Sequence, residues 1–422
     1  MFKNVPILTE DVEDPSTVPN TVDAIPFIIE DLAFAADNLP NRQTQPGRPT
    51  KWAAIGLAAR AHLQVLDYAS AKPLLEDIIN NGGFDLMPNF INNYEIANNN
   101  NVESIFEIQS NVNDGACCSG NAEMGIGLNW PHGADIGMCC GFHQPSQNLV
   151  NAFRVDADGL PMFDTFNDVD LANDQGIASE ATFVPFDDMV DPRLDWTVSR
   201  RGIPYRDWGI NRGRDWVRRQ NDGGPYLPAS KPFFYQSERY SLSTTSGWMT
   251  GNNANNFRYM RLSHVYLWRA EVAASEGDLA TALTYVNLIR ARAANDVVMG
   301  KVSVYELPPA VYPWGAEGDV DWDVPAANYD VQPYASFANA ADAMEAVQWE
   351  LRLEFATEGH RFFDLRRWGI ITETLNDFVA ADNRMRPVFM QGAVFDDKDK
   401  LQPIPQAQLD VQPGVLVQNP GY

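Results

Sequence analysis

The stretch MRLSHVYLWRAEVAASEGDLATALTYVNLIRARA, residues 260–293, decides the fold. Leu262, Val265, Tyr266, Arg269/Ala270 and Ala273 recur at three- and four-residue spacing, which lines them along one helical face. Glu276-Gly277-Asp278 breaks that spacing, and Leu279, Leu283, Val286, Ile289 and Ala293 resume it, so two helices joined by a tight turn are predicted. A second such stretch runs from Trp52. There Ile55, Ala59, His62/Leu63 and Leu66 recur, Asp67-Tyr68 interrupt, Leu74, Leu75, Ile78 and Ile79 follow, and Gly82-Gly83 stop the pattern. Each unit is roughly 32–35 residues long, near the tetratricopeptide period, and Trp52-x2-Ile55-Gly56 partly matches the first helix of that repeat. Two units about 180 residues apart are too few to stack alone, so they are expected to line one side of a larger helical body.

Residues Asp342 to Trp368 predict a third long helix, with Met344, Val347, Leu351 and Phe355 on its apolar face and Gly369 at its end. Its second half includes EGHRFFDLRRWG, residues 358–369. Glu350, Arg352, Glu354, Glu358, Arg361, Asp364, Arg366 and Arg367 alternate in sign along it at separations that suit pairing within one helix. Glu354 and Glu358 would suit an acid–base pair only in a cleft that desolvates one of them, and arginines within reach of both favour an ion-pair lattice instead. His360 reads as a hydrogen-bonding group at a helix end.

The composition narrows the function classes. Asp and Glu number 56 against 31 Lys and Arg, a formal charge of −25 that repels nucleic acid and anionic lipid and leaves neutral or cation-bridged ligands. No run of about 20 apolar residues occurs, and Met1-Phe2-Lys3-Asn4-Val5 is not the apolar core of an export signal. Four cysteines form two adjacent pairs, Cys117-Cys118 and Cys139-Cys140. Adjacent thiolates diverge and suit zinc poorly, so two structural disulfides are expected, in any of three connectivities, which implies an oxidising compartment.

Residues 110–258 are rich in Gly, Asn, Asp, Pro and aromatics, with helical character only near Pro145 to Phe153, and read as a loop-rich insertion of the kind that carries ligand contacts. Within it Trp196, Tyr205, Trp208, Trp216 and Tyr226 lie among arginines, aspartates and asparagines. Rings that cover a sugar's C–H face beside groups that bond its hydroxyls would suit a neutral glycan, although each ring serves equally well as core. A second aromatic stretch, Tyr312-Pro313-Trp314 and Trp322 with Asp319, Asp321 and Asp323, competes for the role. Asp156-Ala157-Asp158-Gly159 opens like a calcium loop but lacks the order that ends in Glu, which leaves a structural Ca2+ open. The nucleotide-binding, metalloprotease and serine-hydrolase motifs are absent.

Several stretches, in order, resemble the SusD/RagB family: GRPTKWAAIGLAARAHLQVLDYASA (47–71), FHQPSQNLVNAF (142–153), VDPRLDW (190–196), RGIPYRDWG (201–209), residues 260–278 with YVNLIRARA (285–293), ELRLEFATEGHRFFDLRRWG (350–369) and LQPIPQAQLDVQPGVLVQNPGY (401–422). The resemblance implies a mainly α fold on four tetratricopeptide-like helix pairs, with no catalytic residue. It implies a lipoprotein on the outer face of the bacterial outer membrane that binds glycans, or in some members peptides, and passes them to a SusC-like TonB-dependent transporter. No cofactor follows from it. Members start with a signal peptide, a lipidated cysteine and a helical region ahead of the segment matched by VPILTEDVEDP, which here starts at Val5. Those parts, the lipid anchor included, are therefore expected to precede this chain, and Phe27, Ile28, Ile29, Leu32 and Phe34 are expected to lack part of their packing.

The organisation expected is one domain over residues 1–422. Helix pairs fall within 20–109 and 259–295, the ligand-binding insertion is 110–258, and the C-terminal signature region is 342–422. The ligand candidates are Tyr205, Trp208, Trp216, Tyr226, Trp314 and Trp322. A glycoside hydrolase and a protein-only helical scaffold are the competing classes.

Overall fold

The computed structural model describes residues 2–116, 120–129, 131–132, 140–227, 231, 235–244, 252–303 and 320–422. Helices dominate. The first group is α1 (Ile25–Asn38), α2 (Lys51–Gln64) and α3 (Tyr68–Asn81). Three short helices follow, α4 (Gln147–Asn151), α5 (Arg193–Thr197) and α6 (Gln220–Gly223). The second group is α7 (Leu262–Glu276), α8 (Leu279–Ala294), α9 (Ala340–Glu354), α10 (Arg361–Arg367) and α11 (Ile371–Asp382).

Polar side chains start these helices where the sequence offers them. Thr50, Asp67, Ser146, Asp278 and Asn339 each accept a backbone N–H from the first turn, which satisfies donors that a helix leaves unpaired. At the turn between α7 and α8, Gly277 adopts the left-handed conformation that ends α7, and Asp278 starts α8 at once. The two hairpins α2–α3 and α7–α8 lie side by side, with α3 packed on α7 and α9 packed on both α7 and α8. Their shared core includes Ile55, Leu63, Leu75, Ile78, Val265, Val286, Ile289, Val347 and Leu351. By contrast, α1 buries none of its side chains and exposes Phe27, Ile28 and Phe34.

Among the described residues, two small antiparallel ribbons accompany the helices. β1 (Ser104–Ile108) pairs with β2 (Phe257–Arg261), and β2 runs directly into α7. β3 (Met299–Val302) pairs with β4 (Val320–Pro325), so the segment 303–319 connects the strands of one hairpin. A second core joins Val150, Phe153, Val190, Leu194, Val198 and Tyr226 to Leu353 and Ala356, fastening the segment between the hairpins to the end of α9.

The long helix expected over residues 342–368 is two helices. α9 ends at Glu354, Thr357 and Gly359 take positive φ, and α10 starts at Arg361. The apolar stripe runs unbroken to Phe355, so periodicity alone does not reveal the break. Leu75 meets the shared core from α3 with no exposed surface. Leu75→Ala should cost about 2–5 kcal/mol, since the flanking helices cannot fully close the cavity. A denaturant melt with unchanged slope and lower midpoint would verify it; an unchanged midpoint would show that the junction repacks.

Candidate ligand-binding site

Three glutamates on and just after α9 meet partners from distant parts of the chain. Glu350 and Glu354 are fully buried. Arg193 of α5 donates to Glu350 at 2.6 Å, to Glu354 at 3.2 Å and to Asp191 at 2.6 Å. From α8, Arg290 reaches Glu350 at 3.3 Å, and Arg292 reaches Glu354 at 2.5 Å and Glu103 at 3.1 Å. Arg261, between β2 and α7, donates to Glu354 and lies 3.2 Å from both Glu103 and Glu358. Lys231 donates to Glu358 at 2.7 Å.

The lattice is therefore real, but its pairs are tertiary rather than intrahelical; Arg367–Asp364, at 2.9 Å, is the local pair that survives within α10. Arg367 also clamps Glu271 of α7, with Nη2 donating at 2.6 Å, and the Trp368 indole donates to the same carboxylate at 2.9 Å. Burial by itself would raise the Glu354 pKa; Arg292, Arg261 and Arg193 outweigh it and hold the carboxyl far below the usual range. Glu358 is likewise pushed up by burial and pulled lower by Lys231, Arg261 and His360. It borders a recess of about 90 Å³, where Tyr94 donates to it at 2.6 Å. Neither carboxyl holds a proton to give at neutral pH, which an acid–base pair requires.

His264, Glu358 and His360 converge closely enough to suggest a metal centre. Their surroundings do not fit one. His264 Nδ1 accepts the Arg261 backbone N–H at 3.2 Å, and His360 Nδ1 faces the Arg60 guanidinium at 3.2 Å. The two Nε2 atoms lie 3.3 Å apart, so one of them donates to the other. A cation there would displace that contact and sit beside the positive charges of Arg60, Arg261 and Lys231. Asp156, at the calcium-like motif, accepts the backbone N–H groups of Asp158 and Leu160, both at 2.9 Å, in a tight turn.

Four of the aromatic candidates are core. Tyr205, Trp208, Trp216 and Tyr226 are 1%, 3%, 4% and 2% exposed. Tyr205 meets Trp216 edge to face at 6.1 Å, and both pack with Trp208, Val217, Leu227 and Ile96. Tyr226 donates to Gln147 at 2.8 Å inside the second core. Composition cannot separate such rings from surface ones, because aromatic and polar residues alternate in both. Trp314, Tyr312, Cys117, Cys118 and Cys139 lie outside the described residues; Cys140 is disulfide-bonded.

Trp322 differs: it keeps 47% of its surface in solvent on β4. Its ring lies against Gly300 of β3, where a Cβ would come within 2.8 Å of the indole Cζ3 and of Pro204 Cγ. Only glycine allows this approach. The indole is thereby seated on the Gly300 backbone, while exposed Asp321 and Asp323, its neighbours along the strand, project to the opposite face.

Residues 102–422 match the SusD family. A SusD-like protein of Bacteroides ovatus is 37% identical over 98 residues, 21% of this chain and 18% of that protein. SusD-like protein P25 of Formosa agariphila is 24% identical across the whole chain and 68% of its own length. A laminarin-binding SusD-like protein of known structure superposes with a TM-score of 0.59 at 21% identity, covering 100% of this chain and 75% of the other. The chain belongs to the SusD family.

Glu354→Gln should destabilise the fold by about 3–5 kcal/mol, because it leaves Arg193, Arg261 and Arg292 facing a neutral group. A melt within 1 kcal/mol of wild type would show the lattice to be dispensable. The histidines make a separate demand. Burial lowers His264 well below the ordinary value and His360 to about 4, against 6.5 when unfolded. Between those values the unfolded chain binds more protons, so stability present near neutrality is lost as pH falls from about 6.5 to 4, at roughly 3 kcal/mol for His360. Thermal melts across that range should flatten in His360→Asn; an equal slope in both proteins would contradict the assignment.

Proposed function

We propose that this SusD family member captures a glycan at the outer face of the outer membrane and hands it to a SusC-like TonB-dependent transporter, without altering the glycan. The observation that carries the reading is Trp322, an indole held on Gly300 and half open to solvent. An indole face covers the apolar side of a pyranose, which suits a neutral sugar on a chain of net charge −25. The sequence between β3 and β4 also includes Tyr312 and Trp314, which we propose as further ring contacts. Laminarin binding by a structural relative points to the same ligand class.

Support for a non-catalytic role comes from Glu354 and Glu358, whose charges are consumed by arginine and lysine. Residence at the outer membrane and the transporter partner rest on family membership. Calorimetric titration against neutral plant and algal oligosaccharides should find a binder whose affinity falls tenfold or more in Trp322→Ala with the melting temperature retained. No release of reducing ends should accompany binding. Silence across the glycan panel, or affinity untouched by Trp322→Ala, would overturn the reading of this hairpin.

A further inference from the structure

A cleft of about 560 Å³ lies on another part of the molecule, between α9, α10, α11 and residues 163–167. Phe163, Phe166 and Trp349 form an aromatic wall, with both phenylalanines edge-on to the indole at 5.5 and 5.1 Å. Arg352 and Arg361 project from α9 and α10 into the same cleft.

These arginines are treated differently from the arginines of the lattice. Arg193, Arg261, Arg290, Arg292 and Arg367 each meet a carboxylate. Among the described residues, no carboxylate forms an ion pair with Arg352 or Arg361. Arg352 donates to the Asn148 carbonyl at 3.2 Å and to its side-chain oxygen at 2.6 Å, and lies over Phe166 and Trp349. Arg361 has a long hydrogen bond of 3.4 Å to the Gln348 carbonyl, and its neighbour Asp364 is already engaged by Arg367. The two cations also repel each other: burial lowers Arg352 first and the charge of Arg361 lowers it further. Two half-buried guanidiniums in this state leave donors for an anion, and the planar fork of arginine matches a carboxylate.

The cleft is not cationic throughout. Asp164, Glu345 and Asp377 also line it, as does Arg384, which already pairs with Asp170 at 3.0 Å, and burial raises Glu345, with Asp164 and Asp342 raising it further. An anion is repelled from those acids, whereas a hydroxyl can donate to them. A ligand that satisfies every part of the cleft carries a carboxylate for the arginines, hydroxyls for the acids and a flat apolar face for the aromatic wall. We propose that this cleft is a second binding site that takes an acidic sugar residue, with its carboxylate on Arg352 and Arg361 and its ring against Trp349 and Phe166. The sugar class rests on the glycan reading above; the anion preference does not.

The test uses three tetrasaccharides of one linkage: an oligoglucuronate, its carboxyl-reduced form, and a sulfate ester of the reduced form. Each is titrated into the full chain at low salt. The oligoglucuronate should bind at least tenfold tighter than the reduced form. That advantage should vanish in Arg361→Gln and in Arg352→Gln and persist in Trp322→Ala. Thermal shift supplies a second reading, with oligoglucuronate raising the melting temperature of wild type and of Trp322→Ala but not of Arg361→Gln, whose own melt shows that it folds. Equal binding of acidic and reduced forms overturns the site. Arginine-dependent binding of the sulfate ester as tight as the glucuronate overturns the carboxylate assignment. Oligoglucuronate binding that Trp322→Ala abolishes and Arg361→Gln leaves intact overturns the cleft while the glycan reading stands.

Discussion

The structure turns on Glu354, a fully buried carboxylate in contact with Arg193, Arg261 and Arg292. Each arginine arrives on a different part of the chain: Arg193 on a short helix between the hairpins, Arg261 where a ribbon becomes a helix, and Arg292 on the second helix of the later hairpin. Glu103, just before β1, bridges Arg261 to Arg292, and Glu350 bridges Arg193 to Arg290. Desolvating so many charges is expensive, and apolar side chains of equal volume would often be no less stable. What the network adds is exclusivity. A chain that misplaces any one of these segments strands a buried charge, so misassembled arrangements cost far more than the native one gains.

This division of charge shapes what the surface can bind. The lattice consumes arginines inside the protein, while acidic groups remain outside and set the net charge of −25. A ligand therefore meets an acidic surface in which exposed rings and hydrogen-bond acceptors are common and free cations are few. Trp322 suits a neutral partner in that setting. Arg352 and Arg361 stand out because, among the described residues, they lack the carboxylate partners of the lattice arginines, and they share their cleft with an aromatic wall.

Much of the scaffold was legible in the sequence. Three- and four-residue spacing located both helix hairpins, and Gly277-Asp278 marked a turn that the structure forms with a left-handed glycine and a capping aspartate. The signs of the charges around residues 350–367 announced an ion-pair lattice. Two readings failed for physical reasons. The apolar stripe runs past the end of α9, so it conceals the break that Thr357 and Gly359 make in the backbone. Tyr205, Trp208, Trp216 and Tyr226 lie among polar residues in the chain yet face one another or the second core in space. Arg352 and Arg361 also looked like members of the lattice, because a missing partner cannot be read from spacing.

The amino-acid sequence by itself determined the two helix hairpins and the turns within them, the excess of acid, and the family, since these depend on neighbours three or four residues away or on motifs in order. Only the tertiary structure decided which charges pair and which rings remain open to solvent. Those outcomes depend on contacts such as Arg193 with Glu350 and Gly300 with Trp322. Their partners are brought together by the packing of whole segments, and no local spacing carries that information.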